Sequence, residues 1–221
     1  TLHYEAKVRC NLCGTETGYI GINSTNAFGS ADLDARPPEM QRSTLFTLVQ
    51  RCSGCGYCAS DIVATHPEAQ AVVIRREYRD QLIDSTHPEL AVSFLCKAIL
   101  DRETEDFAEA TWALIHAAWA CDDSEHAEQA ISCRQRAADM LMCAEEHNQQ
   151  VAEQDGVNTA ILVDLLRRSE RTDLARQIIS TRRGQITDDL IGRILDYQTV
   201  LLDNNDLSCH TIEEALLSES E

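Results

Sequence analysis

Two Cys-x-x-Cys-Gly units carry the chemistry most directly readable in this chain: Cys10 and Cys13 followed by Gly14, and Cys52 and Cys55 followed by Gly56. Thiolates at this spacing sit on a tight turn with both sulfurs facing one point. The glycine after the second cysteine lets the backbone fold back beneath a metal. Two such knuckles make a four-thiolate cage, and zinc is the ion best suited to it in a soluble protein. A closed tetrahedral cage offers no open position to water or substrate. Zinc held by Cys10, Cys13, Cys52 and Cys55 is therefore expected to be structural.

Other residues offer weaker chemistry. Cys58 extends the second unit to Cys52-x2-Cys55-x2-Cys58, the spacing that opens an iron–sulfur run, and reads as a packed thiol or a spare ligand. Asp32, Asp34 and Arg36, in a loop closed by Pro37-Pro38, could bind a cation or act as acid and base. Such a loop more often caps turns and ties itself down with an Asp–Arg pair. His116 and His126 lie near Asp122 and Asp123 in sequence, but no His-x3-His or His-Glu-x-x-His pair exists. Each reads as a surface or satisfied core histidine. The adjacent Cys209 and His210 hint at a C-terminal metal site. No Walker loop, dinucleotide fingerprint, nucleophile elbow or deaminase signature is present. Arg167-Arg168 and Arg182-Arg183 read as basic spots at helix ends, where they complement the dipole.

The elements that must position these residues change character near His66. Residues 1–63 read as short strands and loops, with a loosely alternating run over 4–10 and a β-type run over 45–49. Residues 27–38 form a Gly-, Ser-, Asp- and Pro-rich loop. So small a core needs a staple, which a metal supplies. From there the spacing predicts helices over 67–84, 88–103, 107–121, 124–147, 157–169, 172–182 and 188–202. Pro67 and Pro88 suit first-turn positions. Residues 121–124 read as a turn offering an N-cap. Thr211 with Glu214 reads as a capping box for a last short helix. Trp112-x2-Ile115-His116-x2-Trp119 resembles the first helix of a tetratricopeptide repeat, and Leu162, Leu166, Ala175 and Ile179 fit the same template loosely. The expected fold is mainly α: a small zinc-ribbon-like β/loop module over 1–63, then an irregular tetratricopeptide-like helical array over 64–221.

Composition limits the functional classes. The chain has 221 residues, 43% of them apolar, and a net charge of −18. Residues 1–63 hold five Lys/Arg and six Asp/Glu, so nearly all the excess negative charge falls on the helical part. A surface that acidic repels phosphate backbones and argues against general nucleic-acid binding. No apolar run reaches membrane-spanning length. The first residues, which open on Thr1, lack the basic and apolar regions of a signal peptide. A reducing cytoplasm is the expected setting, with Cys96, Cys121, Cys133, Cys143 and Cys209 mostly small buried side chains on helices.

Cys10-x2-Cys13-Gly14, Asp32-x-Asp34 and Val49-x2-Cys52-x2-Cys55-Gly56-Tyr57 together resemble the bacterial domain-of-unknown-function family 2225. The chain departs from that family's pattern at Asn11, Ser53 and Cys58. The resemblance covers about residues 5–63. It implies a cysteine-knuckle segment followed by tetratricopeptide-like helices, and it implies no reaction. The reading that follows is a non-catalytic adaptor whose helical array takes a protein or peptide partner. Two alternatives stand beside it. One is a thiol- or metal-dependent enzyme or redox sensor working through the cysteine cluster and Cys58. The other is nucleic-acid binding through the ribbon, with Lys7, Arg9, Arg36, Arg42 and Arg51 as its cations.

Overall fold

The computed structural model describes residues 1–154 and 156–218. Two antiparallel hairpins open the chain. Strands β1 (Leu2–Arg9) and β2 (Glu16–Ser24) form the first, and β3 (Gln50–Arg51) with β4 (Cys58–Ala59) the second. Each hairpin has one cysteine knuckle at its tip. Between the hairpins the chain leaves the module, runs along the helices through residues 27–38, and returns through a 3-10 segment, Arg42–Leu48. That segment replaces the expected β-run at 45–49. Its apolar residues do not alternate, and Leu45 turns into the core while Leu48 faces out.

Nine helices follow among the described residues: α1 (Ala69–Val73), α2 (Arg76–Leu82), α3 (Glu89–Glu103), α4 (Phe107–Asp123), α5 (Ala127–Glu146), α6 (Val157–Arg168), α7 (Thr172–Arg182), α8 (Asp189–Asp203) and α9 (Ile212–Leu217). The single helix expected over 67–84 is two short ones, because Arg75 is extended at φ −66° and ψ 151°. The break turns Tyr78 inward, where it is fully buried against the second knuckle. Helix α4 runs through the expected turn at 121–124. Ser124 closes it, and His126 precedes α5 without a side-chain cap. Other termini match expectation. Asp188 accepts from the Ile191 N–H, and Thr211 with Glu214 forms a capping box.

Consecutive helices pack as tight hairpins, and one backbone device recurs. Glu105, Glu125, Asn148, Glu170 and Asn205 each take a positive φ between 53° and 66° just past a helix end. The next N–H then reaches back to a carbonyl in the last turn, as from Asp106 to Asp101 (2.8 Å), His126 to Cys121 (2.9 Å) and Arg171 to Leu166 (2.9 Å). This is the Schellman arrangement, built here without glycine. In these three turns the residue whose N–H makes that bond is also the N-cap of the next helix. Helices α4 and α5 both bury alanines, among them Ala113, Ala117, Ala120, Ala130, Ala137 and Ala144. Side chains this small let neighbouring helices approach closely.

The core runs without interruption from the module into the helices. Cys10, Leu33, Leu45, Val49, Tyr57 and Cys58 belong to the same buried cluster as Phe94, Leu95 and Trp119.

Candidate metal centre

The two knuckles are built alike. Cys10 O accepts from the Gly14 N–H at 2.9 Å, and Cys52 O accepts from the Gly56 N–H at 3.0 Å. The Cys10 N–H donates to Thr15 O at 2.9 Å and the Cys52 N–H to Tyr57 O at 2.8 Å, so each hairpin closes across its knuckle. Gly14 and Gly56 hold φ of 73° and 76°, the left-handed conformation that side chains resist.

These turns bring Cys10, Cys13, Cys52 and Cys55 together, with all four sulfurs within 4.8 Å of one another. Cys13 Sγ lies 3.5 Å from Cys52 Sγ, and Cys10 Sγ lies 3.8 Å from Cys55 Sγ. A tetrahedron with metal–sulfur bonds of about 2.3 Å has edges near 3.8 Å, so the cage fits such an ion. Four cysteines so placed can coordinate a metal ion. Cys10 and Cys52 are buried, Cys55 is half-buried and Cys13 is exposed. The Thr15 hydroxyl and N–H lower the Cys13 thiol to about 6, whereas burial raises Cys10 and Cys55. The Gly54 N–H donates to Cys52 Sγ at 3.4 Å, a contact suited to a thiolate.

Cys58 lies outside the cage and is fully buried. Its N–H donates to Tyr78 Oη at 2.9 Å, and the Tyr78 hydroxyl donates to Gly56 O at 3.0 Å. Its thiol meets Cys96, which holds Cys58 low while Cys96 is itself driven up. Cys121 and Cys133 are also buried on helices, but Cys143 is half-buried and Cys209 is exposed in the turn before α9. His210 is held by Asp206 at 3.0 Å and meets the Tyr197 hydroxyl at 3.1 Å. Cys209 and His210 belong to no cluster of three or more ligands among the described residues.

The Asp32–Arg36 loop is a buried bolt. Its carboxylates do not serve its own turn alone, as the sequence suggested. Asp34, 1% exposed, accepts from Trp119 Nε1 at 2.8 Å and from Arg168 at 3.0 Å. Arg36 forks onto both oxygens of Asp123 at 2.6 and 2.7 Å, and Asp32 takes Arg42 at 2.6 Å. The backbone joins in: the Leu33 N–H donates to His210 O, and the Ile212 N–H to Ala31 O. Arg167 and Arg168 are likewise interior groups and not the helix-end spots expected. Arg167 is fully buried on Asp164 at 2.7 Å and on the carbonyls of Asp206 and Ser208. Burial opposes the Arg168 charge, but Asp164 and Asp34 outweigh it and raise its pKa. Sequence offered one signal for this network, an unusual density of Asp and Arg at 32–36, 122–123 and 164–168.

His116 is packed among aromatic rings. Phe94, Trp112 and Trp119 have centroids 5.2, 5.8 and 4.9 Å from its own. Burial, aided by the Lys97 charge, pushes its imidazole down to about 4. The unfolded imidazole titrates near 6.5. On acidification the unfolded chain therefore takes up the proton first, and stability falls from about pH 6.5 towards pH 4. Relative to His116→Phe, the native chain is expected to lose about 2 kcal/mol between about pH 7 and pH 5. Urea unfolding at the two pH values reads this directly, and a difference independent of pH would contradict it.

No protein family, curated protein or solved structure matches this chain in comparisons with all three. No helix among the described residues is long and apolar enough to cross a membrane.

Proposed function

We propose that this chain is a non-catalytic interaction protein whose N-terminal module is held by one structural zinc and whose helices take a protein or peptide partner. The observation that carries the reading is the closed cage. Four thiolates fill a tetrahedral sphere and leave no position for a reacting ligand, so the centre is suited to folding and not to turnover. The helical hairpins offer extended surfaces of the kind that bind peptides, and the motif around Trp112 and Trp119 supports an irregular tetratricopeptide-like array. The resemblance to domain-of-unknown-function family 2225 agrees with this division. Ten cysteines, none of them in a disulfide, support a reducing compartment, the cytoplasm. A net charge of −18 argues against nucleic acid as the partner.

Two measurements test the proposal. Elemental analysis of the purified protein is expected to find one zinc per chain, and iron or no metal overturns the cage assignment. In-cell crosslinking with mass spectrometry is expected to join residues of α3 to α8 to another polypeptide. Crosslinks confined to the chain itself overturn the adaptor assignment.

A further inference from the structure

Two pairs of thiols are buried outside the cage, and their surroundings differ. Cys58 of β4 meets Cys96 of α3, and Cys121 of α4 meets Cys133 of α5. All four side chains are fully buried. Cys58 and Cys96 are set by each other, Tyr78, Ser93 and Arg51. Cys133 has an imidazole beside it, because His87 hydrogen-bonds its sulfur.

His87 stands in the turn between α2 and α3 and is held from both sides. Its Nδ1 lies 2.6 Å from Asp84 Oδ2. Asp84 is fixed in turn, accepting from the Thr86 N–H at 2.8 Å and the Thr86 hydroxyl at 2.7 Å. The His126 Nδ1–H, at the N-cap of α5, donates to Thr86 O at 3.2 Å and ties this turn to the helix that bears Cys133. With Nδ1 facing the carboxylate, Nε2 is left for the sulfur. Asp84, His87, Cys133 and Cys121 thus form a row of carboxylate, imidazole, thiol and thiol. The row is too extended for a metal, since no three of its ligand atoms gather within 4.8 Å of one another.

This is the order of groups that makes a nucleophilic sulfur. The carboxylate orients the imidazole and favours its charge, and the imidazolium favours a thiolate. Hydrogen bonds from Cys121 and His87 lower Cys133 to about 6. Cys133 and Asp84 raise His87, and the neighbouring Cys133 drives Cys121 up. At neutral pH the row is thiolate and imidazolium at its centre, with Cys121 still a thiol.

Burial decides what reacts there. His87 and Asp84, 15% and 22% exposed, are the only members of the row that reach the surface. A peptide or a glutathione disulfide is too large to meet a sulfur behind them. Hydrogen peroxide is little larger than water and suits a site lined by an imidazolium and a thiol.

We propose that Cys133 and Cys121 form a peroxide-reactive dithiol, with His87 as proton donor and Asp84 as a positioning residue. The Cys133 thiolate attacks one oxygen of hydrogen peroxide. An S–O bond forms, the O–O bond breaks, and the departing hydroxide takes the His87 proton and leaves as water. Cys133 is then a sulfenic acid. The Cys121 sulfur displaces its hydroxyl, the S–S bond forms, and the Cys121 proton leaves with that hydroxyl as a second water. The two thiols give up two electrons and the peroxide receives them. The product staples α4 to α5. This chemistry depends on neither the cage nor the interaction reading.

The test treats the zinc-loaded full chain with hydrogen peroxide under native conditions and quenches with catalase. The remaining thiols are alkylated in denaturant and the cysteines mapped by mass spectrometry. A Cys121–Cys133 disulfide is expected before any Cys58–Cys96 disulfide, and glutathione disulfide is expected to leave Cys133 reduced. Cys121→Ser is expected to leave added oxygen on Cys133. His87→Asn is expected to slow Cys133 oxidation about tenfold or more with circular dichroism unchanged. Asp84→Asn is expected to slow it less. Cys133 that stays reduced in the unsubstituted chain, or that oxidises no sooner than Cys58 and Cys96, overturns the proposal. An unchanged rate in folded His87→Asn overturns it too.

Discussion

Asp34→Ala is expected to cost about 3–5 kcal/mol of folding stability, the range for removing one partner from a buried ion pair. Asp34 is the acceptor for both Trp119 Nε1 and Arg168, and nothing else in the loop can replace it. The truncation leaves a guanidinium in the interior with only Asp122 and Asp164 near it. It also strips the Trp119 indole of its acceptor. Against a typical total of about 5–15 kcal/mol this is a large share. Asp34→Asn keeps an oxygen for Trp119 and is expected to cost less. Pairing Asp34→Ala with Arg168→Met removes the stranded charge and is expected to recover part of the loss. Urea unfolding reads all three. A cost below about 1 kcal/mol for Asp34→Ala would mean that the loop is not the bolt described above.

Cys52→Ser is expected to have a comparably large effect, confined to one end of the molecule. Structural zinc sites bind with about 10–16 kcal/mol of apparent free energy, and that binding is folding energy. Cys52 is a buried corner of the cage, so with the zinc proposed above its loss opens the sphere and both hairpins lose their shared anchor. The damage should reach α2, because the Tyr78 hydroxyl donates to Gly56 O and Arg79 donates to Cys55 O. It should stop there. The loop at 31–36 is tied to α4, α6 and the α8–α9 turn by contacts that owe nothing to the cage. Hydrogen exchange is expected to become fast over residues 2–24, 50–59 and 76–82 while α4 to α8 keep their protection. Strong chelation should give the same pattern. Loss of protection throughout the helices, or none anywhere, would refute this division of labour.

The parts of the molecule visible in the sequence are those whose spacing is dictated locally. A metal cage demands two cysteines three residues apart followed by a residue that tolerates a left-handed turn, and Cys10–Gly14 and Cys52–Gly56 meet that demand. Helices α3 to α8 were visible through the 3.6-residue recurrence of their apolar residues, as was the capping box at Thr211. What escaped depends on distant partners. Arg168 looks like a surface charge until Asp34, 134 residues away, closes on it, and Arg167 until the carbonyls of Asp206 and Ser208 do. Residues 45–49 carry apolar side chains in a run too short to declare a period, and the crossing over α4 selects a 3-10 turn there. The break at Arg75 carries no glycine or proline to mark it. It exists because Tyr78 must reach Gly56.

The glycine-free turns between helices have a consequence for how this chain can change. Where the N-cap of one helix is also bonded back to the last turn of the helix before it, there is little slack to absorb an inserted residue. Adding one amino acid at Glu105, Glu125 or Glu170 would break the back-reaching bond that joins the two helices of the turn. Substitution within these hairpins is therefore expected to be tolerated better than insertion. An insertion is expected to cost less in residues 60–68, which lead to α1 outside any helix or strand.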